Sequence, residues 1–197
     1  YRVDEKKLEA ELSHKLEQLD IANIDVVTFS GTGEPTLNPR LKDMILCVRR
    51  LLPDIPVAVL TNSSLINYPN VCSSLMNADI VIAKLDAADQ KTFFSINRPA
   101  PGVAKIGEII DGLRSFKKEF SGILSIQMML ISASTSIRTN IEDRALGPLI
   151  EAIRIIEPDE VQVNTPTRPP SEHFVRPVSR RIILQVREIL ENIGIKN

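Results

Sequence analysis

Short apolar, β-branched runs alternate with helical patterns along the chain, and this alternation constrains the fold more than any other feature. Five runs have the length and composition of buried strands, at residues 24–29, 56–61, 78–86, 123–131 and 159–165. Parallel strands need a crossover between them, and a helix is the usual crossover. The pattern therefore predicts an α/β fold, a partial (β/α) barrel of parallel strands that is related to the TIM barrel.

The helical patterns lie between these runs, but one of them comes first. Apolar residues at helical spacing occupy residues 8–19, after a capping Asp4. A helix is also predicted to begin at Pro39, with Asn38 as its cap. In a βα-repeating fold a helix follows a strand, so we expect residues 1–197 to be a single domain that is truncated at its N-terminus and lacks its first strand.

Gly31 and Gly33 are the only glycines in the first 100 residues, and both follow the first strand in SGTGEP, residues 30–35. A P-loop would need Gly-Lys-Ser/Thr, a nucleophile elbow would need a serine between glycines, and a dinucleotide fingerprint would need a helix that begins at the turn. None of these fits. Glycine lets main-chain carbonyls approach a ligand closely, and such carbonyls suit an ammonium group.

Polar residues stand at the carboxyl ends of the other predicted strands, where the chemistry of such folds lies. They are Asn62, Ser63, Asp86, Gln127 and Asn164. Structural roles remain open for four of them: Asn62 and Ser63 as a helix cap, Asp86 as a turn former, and Gln127 as a satisfied core amide.

Two arginines lie beside prolines on loops near the same rim, in Asn97-Arg98-Pro99 and at Arg168. The planar guanidinium holds carboxylate or phosphate, so the pair predicts an anionic substrate or a phosphodiester. The alternative is a salt bridge across the loops. The basic residues of 173–181 form either a solvated face or a surface for RNA.

Composition limits the remaining classes. The net charge of −1 gives no indication of nucleic acid or anionic membrane, and no apolar run reaches the length of a membrane span. The two cysteines, Cys47 and Cys72, lie in helical patterns among apolar neighbours. They indicate core residues in a reducing, cytoplasmic setting.

The stretch FSGTGEPTLNP resembles the Gly-Gly-Glu-Pro motif of the radical S-adenosylmethionine (SAM) superfamily. LTNSS is similar to that family's strand-end Thr-Asn-Gly, and AKLDA to its following Leu-Asp. INRP and TPTRPP resemble the subgroup of iron–sulfur oxidoreductases related to tRNA wyosine-base synthases. The resemblance covers essentially the whole chain and implies a radical SAM-like partial barrel.

The resemblance also implies an activity: reductive cleavage of SAM to a 5′-deoxyadenosyl radical, which abstracts hydrogen from an unknown substrate in RNA modification or enzyme activation. The implied cofactor-binding residues are Ser30, Gly31, Thr32, Gly33, Glu34, Pro35, Asn62, Ser63, Asp86, Gln127 and Asn164. The implied substrate-binding residues are Asn97, Arg98 and Arg168. The implied partners are SAM, an electron donor such as flavodoxin or ferredoxin, and a substrate that includes tRNA among the candidates, with no membrane.

One part of the family pattern is absent. The Cys-x-x-x-Cys-x-x-Cys loop that holds the 4Fe–4S cluster does not occur in this sequence, and Cys47 and Cys72 have neither its spacing nor its position. We expect the cluster ligands upstream of Tyr1, and this fragment to be inactive alone. The alternative is a cluster-free, non-catalytic α/β barrel that binds an anionic small molecule or RNA. A nicotinamide enzyme, the third possibility, predicts a helix that begins at Gly33.

Overall fold

A computed structural model describes residues 5–31 and 33–197. The predicted cap Asp4 and the turn residue Thr32 lie outside the described residues. The helices are α1 (Glu5–Leu16), α2 (Leu41–Leu51), α3 (Pro69–Leu75), α4 (Gln90–Ile96), α5 (Ile106–Glu119), α6 (Asp143–Ile156) and α7 (Arg180–Asn192). The strands are β1 (Val27–Phe29), β2 (Val57–Thr61), β3 (Ile80–Lys84), β4 (Ile123–Met129), β5 (Ile131–Ala133), β6 (Glu160–Asn164) and β7 (Val175–Pro177). Short 3-10 helices at Ile21–Asn23 and Pro35–Leu37 flank β1.

Five strands form one sheet in the order β1–β2–β3–β4–β6, and each neighbouring pair is parallel. At least one helix stands between each pair of sequential sheet strands. β5 and β7 form a separate antiparallel ribbon. The α/β fold with parallel strands that the apolar runs predicted is confirmed.

The helices cover one face of this sheet. Alternate residues of a strand point to opposite faces, and Leu124 and Ile126 of β4 are fully buried on the helix-covered side. The opposite face carries a polar row. The register places Gln127 of β4 between Lys84 of β3 and Gln162 of β6, and all three are half-buried. This face is the interior of the partial barrel.

Two of the strand boundaries that differ from the prediction are set by side-chain hydrogen bonds. The strand predicted at 24–29 begins only at Val27, since Asp20 caps the preceding 3-10 helix and accepts from the Ala22 N–H over 3.2 Å. The strand predicted at 123–131 breaks at Leu130, after which the Ile131 N–H donates to the Asn140 side chain over 3.0 Å. Residues beyond the break pair with β7 instead.

The start of α2 was also predicted wrongly. The Asn38 side chain accepts from the Arg40 N–H over 3.0 Å and forms a tight turn, so α2 begins at Leu41 rather than at Pro39. No helix begins at Gly33, as a nicotinamide enzyme would have required. Helix α4 was not predicted, although its cap is a familiar one: Asp89 accepts from the N–H groups at the helix start.

Two aspartates clamp the amino edge of the sheet. Asp79 precedes β3 and accepts from the Val57 N–H of β2 over 2.8 Å and from Arg49 over 2.6 Å. Asp159 precedes β6 in the same way, and accepts from the Leu124 N–H of β4 over 2.7 Å and from Lys117. Partial burial opposes their ionisation, but these hydrogen bonds and charges hold the pKa of both carboxyls below the ordinary value.

Candidate functional site

A cavity of about 720 Å³ opens at the carboxyl edge of the sheet. Its polar lining residues are Glu34, Asn62, Ser64, Lys84, Asp86, Asn97, Arg98, Ser171 and Glu172. Apolar side chains such as Leu65, Phe93, Ile96 and Met129 form much of the remaining wall. An apolar hollow with a few convergent polar groups at the strand ends of an α/β sheet is the usual form of a small-molecule site.

The glycine turn lies beside this cavity and is open. Ser30, Gly31 and Gly33 are exposed, and they line a second hollow of about 300 Å³ that shares Glu34 with the first. Gly31 does not have a positive φ, and a Cβ added to either glycine would meet no atom within 4 Å. Crowding therefore does not explain the glycines. The missing side chains leave the main chain of the turn accessible.

The carbonyl oxygens of this turn have no protein partner among the described residues. No hydrogen bond between residues of 5–31 and 33–197 uses the carbonyls of Ser30, Gly31 or Gly33. Exposed carbonyls are acceptors for a ligand that donates, such as an ammonium group. The turn thus has open acceptors, and their use by a ligand stays a prediction.

The Glu34 carboxylate ties the turn to the end of β2. One oxygen, Oε1, accepts from the Thr36 N–H over 3.2 Å, from the Thr36 hydroxyl over 2.7 Å and from the Thr61 hydroxyl over 2.7 Å. The other, Oε2, accepts from the Asn62 N–H over 2.7 Å. Most of the carboxylate's acceptor capacity is therefore used inside the protein, and the side chain fixes the turn.

Asn62 and Ser63 do not cap α3, whose cap position is Tyr68. The Asn62 side chain accepts from the Ser64 N–H over 2.9 Å and lines the cavity. Ser63 is 1% exposed, with a positive φ of 66°, and its hydroxyl donates to the Lys84 carbonyl over 2.9 Å. Asn62 can therefore reach a ligand, whereas Ser63 fixes the loop between the ends of β2 and β3.

Asp86 is the centre of a buried polar network at the end of β3. It is 3% exposed, and its carboxylate accepts from the Met129 N–H over 2.9 Å and from the Asn97 amide over 2.9 Å. Lys84 forms an ion pair with the same carboxylate at 3.2 Å. Asn140, which is fully buried, donates to the carbonyls of Asp86 and Met129. The network fixes Lys84, Asp86 and Asn97 in the cavity wall.

Asn97 and Arg98 also line the cavity. The Asn97 Oδ1 atom is buried and has no hydrogen-bond partner among the described residues, which is rare for a buried polar atom. Arg98 has a positive φ of 45° and forms an ion pair with Glu172 at 2.6 Å. The salt bridge considered as the alternative for Arg98 is thus present. It joins two lining segments that are 74 residues apart in the sequence.

The remaining predicted site residues lie apart from the cavity lining. Gln127 donates weakly to Gln162 over 3.4 Å on the inner face of the sheet. The Asn164 carbonyl accepts from Leu130, and its half-buried side chain shares that face. Arg168 is exposed on the segment before β7. None of the three contributes to the described lining of the cavity.

Sequence reasoning missed several residues of this site. Lys84, Thr61 and Asn140 sit in ordinary strand or loop contexts, and only the register of the sheet brings them to the site. Glu172 lies far along the chain from Arg98, so no local pattern connects the two. Only Lys84 could have been identified from the sequence as a site residue, because it is a charged residue between two aliphatic ones at the end of a strand.

The cysteines have structural roles. Cys47 is buried, and the Cys72 thiol donates to the Ile66 carbonyl over 2.9 Å. Burial, aided by the nearby charge of Glu119, raises the pKa of Cys72 above the ordinary thiol value. Within the described residues, no group of three or more His, Cys, Asp or Glu could hold a metal ion. Among the described helices, none has both the length and the apolar character of a membrane span.

No family model matches the chain. A UPF0026 protein of Methanocaldococcus jannaschii is 31% identical over 186 residues, which cover 94% of this chain and 56% of that protein. A UPF0026 protein of Synechocystis is 34% identical over 160 residues, covering 81% of this chain and 57% of that protein. A protein named GTPase Obg from Brachyspira hyodysenteriae is 35% identical over 168 residues, covering 85% of this chain and 23% of that protein. The chain spans about half the length of the UPF0026 relatives.

Solved structures share the fold at low identity. A domain of pyruvate-formate lyase-activating enzyme from Bacteroides vulgatus has a TM-score of 0.65 at 19% identity, covering 87% of this chain and 96% of that one. A radical SAM methyltransferase from Sphaerobacter thermophilus has a TM-score of 0.71 at 19% identity, covering 98% and 56%. SuiB of Streptococcus suis bound to S-adenosylmethionine has a TM-score of 0.67 at 14% identity, covering 96% and 41%. The chain therefore has the radical SAM-like partial barrel fold.

Proposed function

We propose that this chain is the SAM-binding part of a radical SAM enzyme. In that reaction one-electron reduction of SAM breaks a carbon–sulfur bond, which releases methionine and a 5′-deoxyadenosyl radical that abstracts hydrogen from a substrate. The observation that carries the proposal is the open turn: among the described residues the carbonyls of Ser30, Gly31 and Gly33 have no protein partner, and these residues line the smaller hollow, which shares Glu34 with the larger cavity.

The described residues fit SAM. The turn offers acceptors to its ammonium group, and Glu34 adds negative charge beside them. Asn62 and Asp86 lie in the cavity wall for the ribose and carboxylate side. The Asn97 Oδ1 atom is buried and has no partner among the described residues. It would accept from a donor group on a ligand after a movement of the Asn97 side chain.

The other predicted cofactor residues enter the proposal in different ways. Ser63 and Pro35 shape the loops, Thr32 belongs to the turn by sequence alone, and Gln127 and Asn164 face the interior of the barrel toward adenine or substrate.

The described residues do not fit a 4Fe–4S cluster, since they provide no set of metal ligands. The chain spans about half the length of its UPF0026 relatives, and the remaining part of those proteins could hold one. A flavodoxin or ferredoxin would supply the electron.

The substrate side of the proposal rests on Asn97, Arg98 and Arg168. Arg98 is paired with Glu172, so an anionic substrate group would share the guanidinium with that carboxylate or displace it. The resemblance to the wyosine-synthase subgroup makes a tRNA base the candidate substrate. The exposed arginines of 168–181 would then contact its backbone.

The decisive experiment separates the turn from the rest of the fold. Gly33→Val places a side chain in open space, so it should not alter folding but should obstruct a ligand at the carbonyls. Gly147→Val, at an exposed glycine of α6 with equally open space, is the matched control. The full-length protein is reconstituted anaerobically with iron and sulfide, and SAM binding and 5′-deoxyadenosine release are measured. We expect Gly33→Val to lose both and the control to keep both.

A cluster-free barrel that binds an anion or RNA is the second candidate, with the cavity residue Arg98 and the exposed Arg168 as its binding groups. It predicts that reconstitution gives no iron–sulfur absorption and no 5′-deoxyadenosine. It also predicts that Arg98→Ala weakens RNA binding while Gly33→Val does not. That combination would overturn the radical SAM proposal.

A further inference from the structure

The Thr61 hydroxyl joins the glycine turn to two strand ends. Thr61 is the last residue of β2 and is 6% exposed. Its hydroxyl donates to Glu34 Oε1 over 2.7 Å and accepts from the Ser63 N–H over 3.1 Å. Ser63 in turn donates to the Lys84 carbonyl of β3 over 2.9 Å. A hydroxyl has one proton, so this arrangement fixes its direction toward Glu34.

The glycine turn depends on this connection because it has little packing of its own. Gly31 and Gly33 are exposed, and open space surrounds the positions where their side chains would lie. β1 holds one end of the turn, and the Glu34 carboxylate holds the other through Thr36, Thr61 and the Asn62 N–H. The position of the open carbonyls therefore follows the position of Glu34.

We propose that Thr61 is a positioning residue for the SAM site, and this inference rests on the proposed function. It orients the Glu34 carboxylate and thereby sets the carbonyls of the turn in the arrangement that accepts the ammonium group. Thr61 lines neither of the two hollows, so it acts without touching the ligand. Its effect on binding passes through a hydrogen bond to a charged group, the stronger kind.

The test compares two substitutions with opposite predictions. Thr61→Val keeps the shape and removes the hydroxyl, whereas Thr61→Ser keeps the hydroxyl and removes a methyl group. SAM binding to the reconstituted full-length protein is measured by anaerobic calorimetric titration. Since a hydrogen bond to a charged group is lost, we expect Thr61→Val to weaken binding by about 10-fold to 100-fold. We expect Thr61→Ser to bind within about threefold of the unmodified protein.

A second measurement excludes a general loss of stability. Hydrogen–deuterium exchange of the 30–37 segment, without SAM, should speed up in Thr61→Val and not in Thr61→Ser. Asp79→Asn is the control, because it breaks the clamp at the other end of the same strand. It should lower the melting temperature as Thr61→Val does, yet leave SAM affinity and exchange at 30–37 unchanged.

The outcomes separate the two proposals. If the unmodified protein binds no SAM, the proposed function fails, and the exchange data still report whether Thr61 orders the turn. If the unmodified protein binds SAM but Thr61→Val binds equally well, the positioning role is refuted and the proposed function stands. Equal weakening by Thr61→Val and Asp79→Asn would also refute it, because stability alone would then explain both.

Discussion

Replacing Asn140 with alanine should be among the most damaging single changes outside the apolar core. Asn140 is 0% exposed and serves three backbone groups. Its amide nitrogen donates to the Asp86 carbonyl over 3.0 Å and to the Met129 carbonyl over 2.8 Å, and its Oδ1 accepts from the Ile131 N–H over 3.0 Å. These bonds connect the end of β3 with the break between β4 and β5.

The cost follows from these contacts. Three hydrogen bonds, at about 1 kcal/mol net for each, sum to roughly 3 kcal/mol. The buried backbone groups left unpaired and the space vacated by the side chain raise the expected loss in the free energy of unfolding to about 3–5 kcal/mol. A typical domain has about 5–15 kcal/mol in total, so Asn140→Ala should be only marginally folded.

Urea unfolding of the full-length protein, followed by circular dichroism, measures this loss. Asn192→Ala, at an exposed asparagine that ends α7, is the control and should change stability by less than about 0.5 kcal/mol. Asn140→Asp should be at least as damaging as alanine, because it turns an oxygen toward two carbonyls. A loss below about 1 kcal/mol for Asn140→Ala would refute the reasoning, since water or a relaxed loop must then satisfy these groups.

Three further changes test other parts of the structure. Gly122→Ala places a Cβ 2.4 Å from the Asp79 carbonyl oxygen and should lower the free energy of unfolding in urea by about 1–3 kcal/mol. Gly107→Ala, at a helical glycine with open space around it, should raise that free energy by up to about 1 kcal/mol. Asp79 and Asp159 have lowered pKa values in the folded protein, so they stabilise it at any pH above their unfolded pKa near 4. This stabilisation is lost as the pH falls through their folded pKa. The variant with both residues changed to Asn should therefore show a flatter fall in melting temperature between about pH 5 and 2. An equally steep fall in the double variant and the unmodified protein would contradict this prediction. Glu34→Gln puts an amide donor where N–H and O–H groups already donate, and should weaken SAM binding by about tenfold in calorimetric titration, while equal affinity would show that the carboxylate does not order the turn.

The strands could be predicted because burial on a parallel sheet demands continuous apolar runs. The five runs correspond to the five strands of the sheet, and their parallel direction follows from the helices between them. Their ends could not be predicted, because single side chains set them. The Asp20 side chain accepts from the Ala22 N–H before β1, and the Asn140 side chain accepts from the Ile131 N–H after β4. A pattern of apolar residues does not indicate such hydrogen bonds.

The candidate site was predictable only in part. The glycine turn stands out in the sequence because glycine is scarce before it, and the structure shows it open. The partners that hold it are not apparent, since the Glu34 side chain meets Thr61 and Asn62 some 27 and 28 residues away. The pairing of Arg98 with Glu172 spans 74 residues, so only the folded chain reveals it. Local chemistry can be seen in the sequence, but long-range pairing cannot.

The two aspartate clamps have a consequence for how this scaffold can change over time. Asp79 and Asp159 secure the sheet at the margin farthest from the cavity, where no ligand is expected. The residues that stabilise the sheet at its amino edge are therefore different from those that line the cavity at its carboxyl edge. Loops at the carboxyl edge can change in sequence and length while these clamps stay constant. The solved structures that share the fold include a domain of an activating enzyme and a methyltransferase.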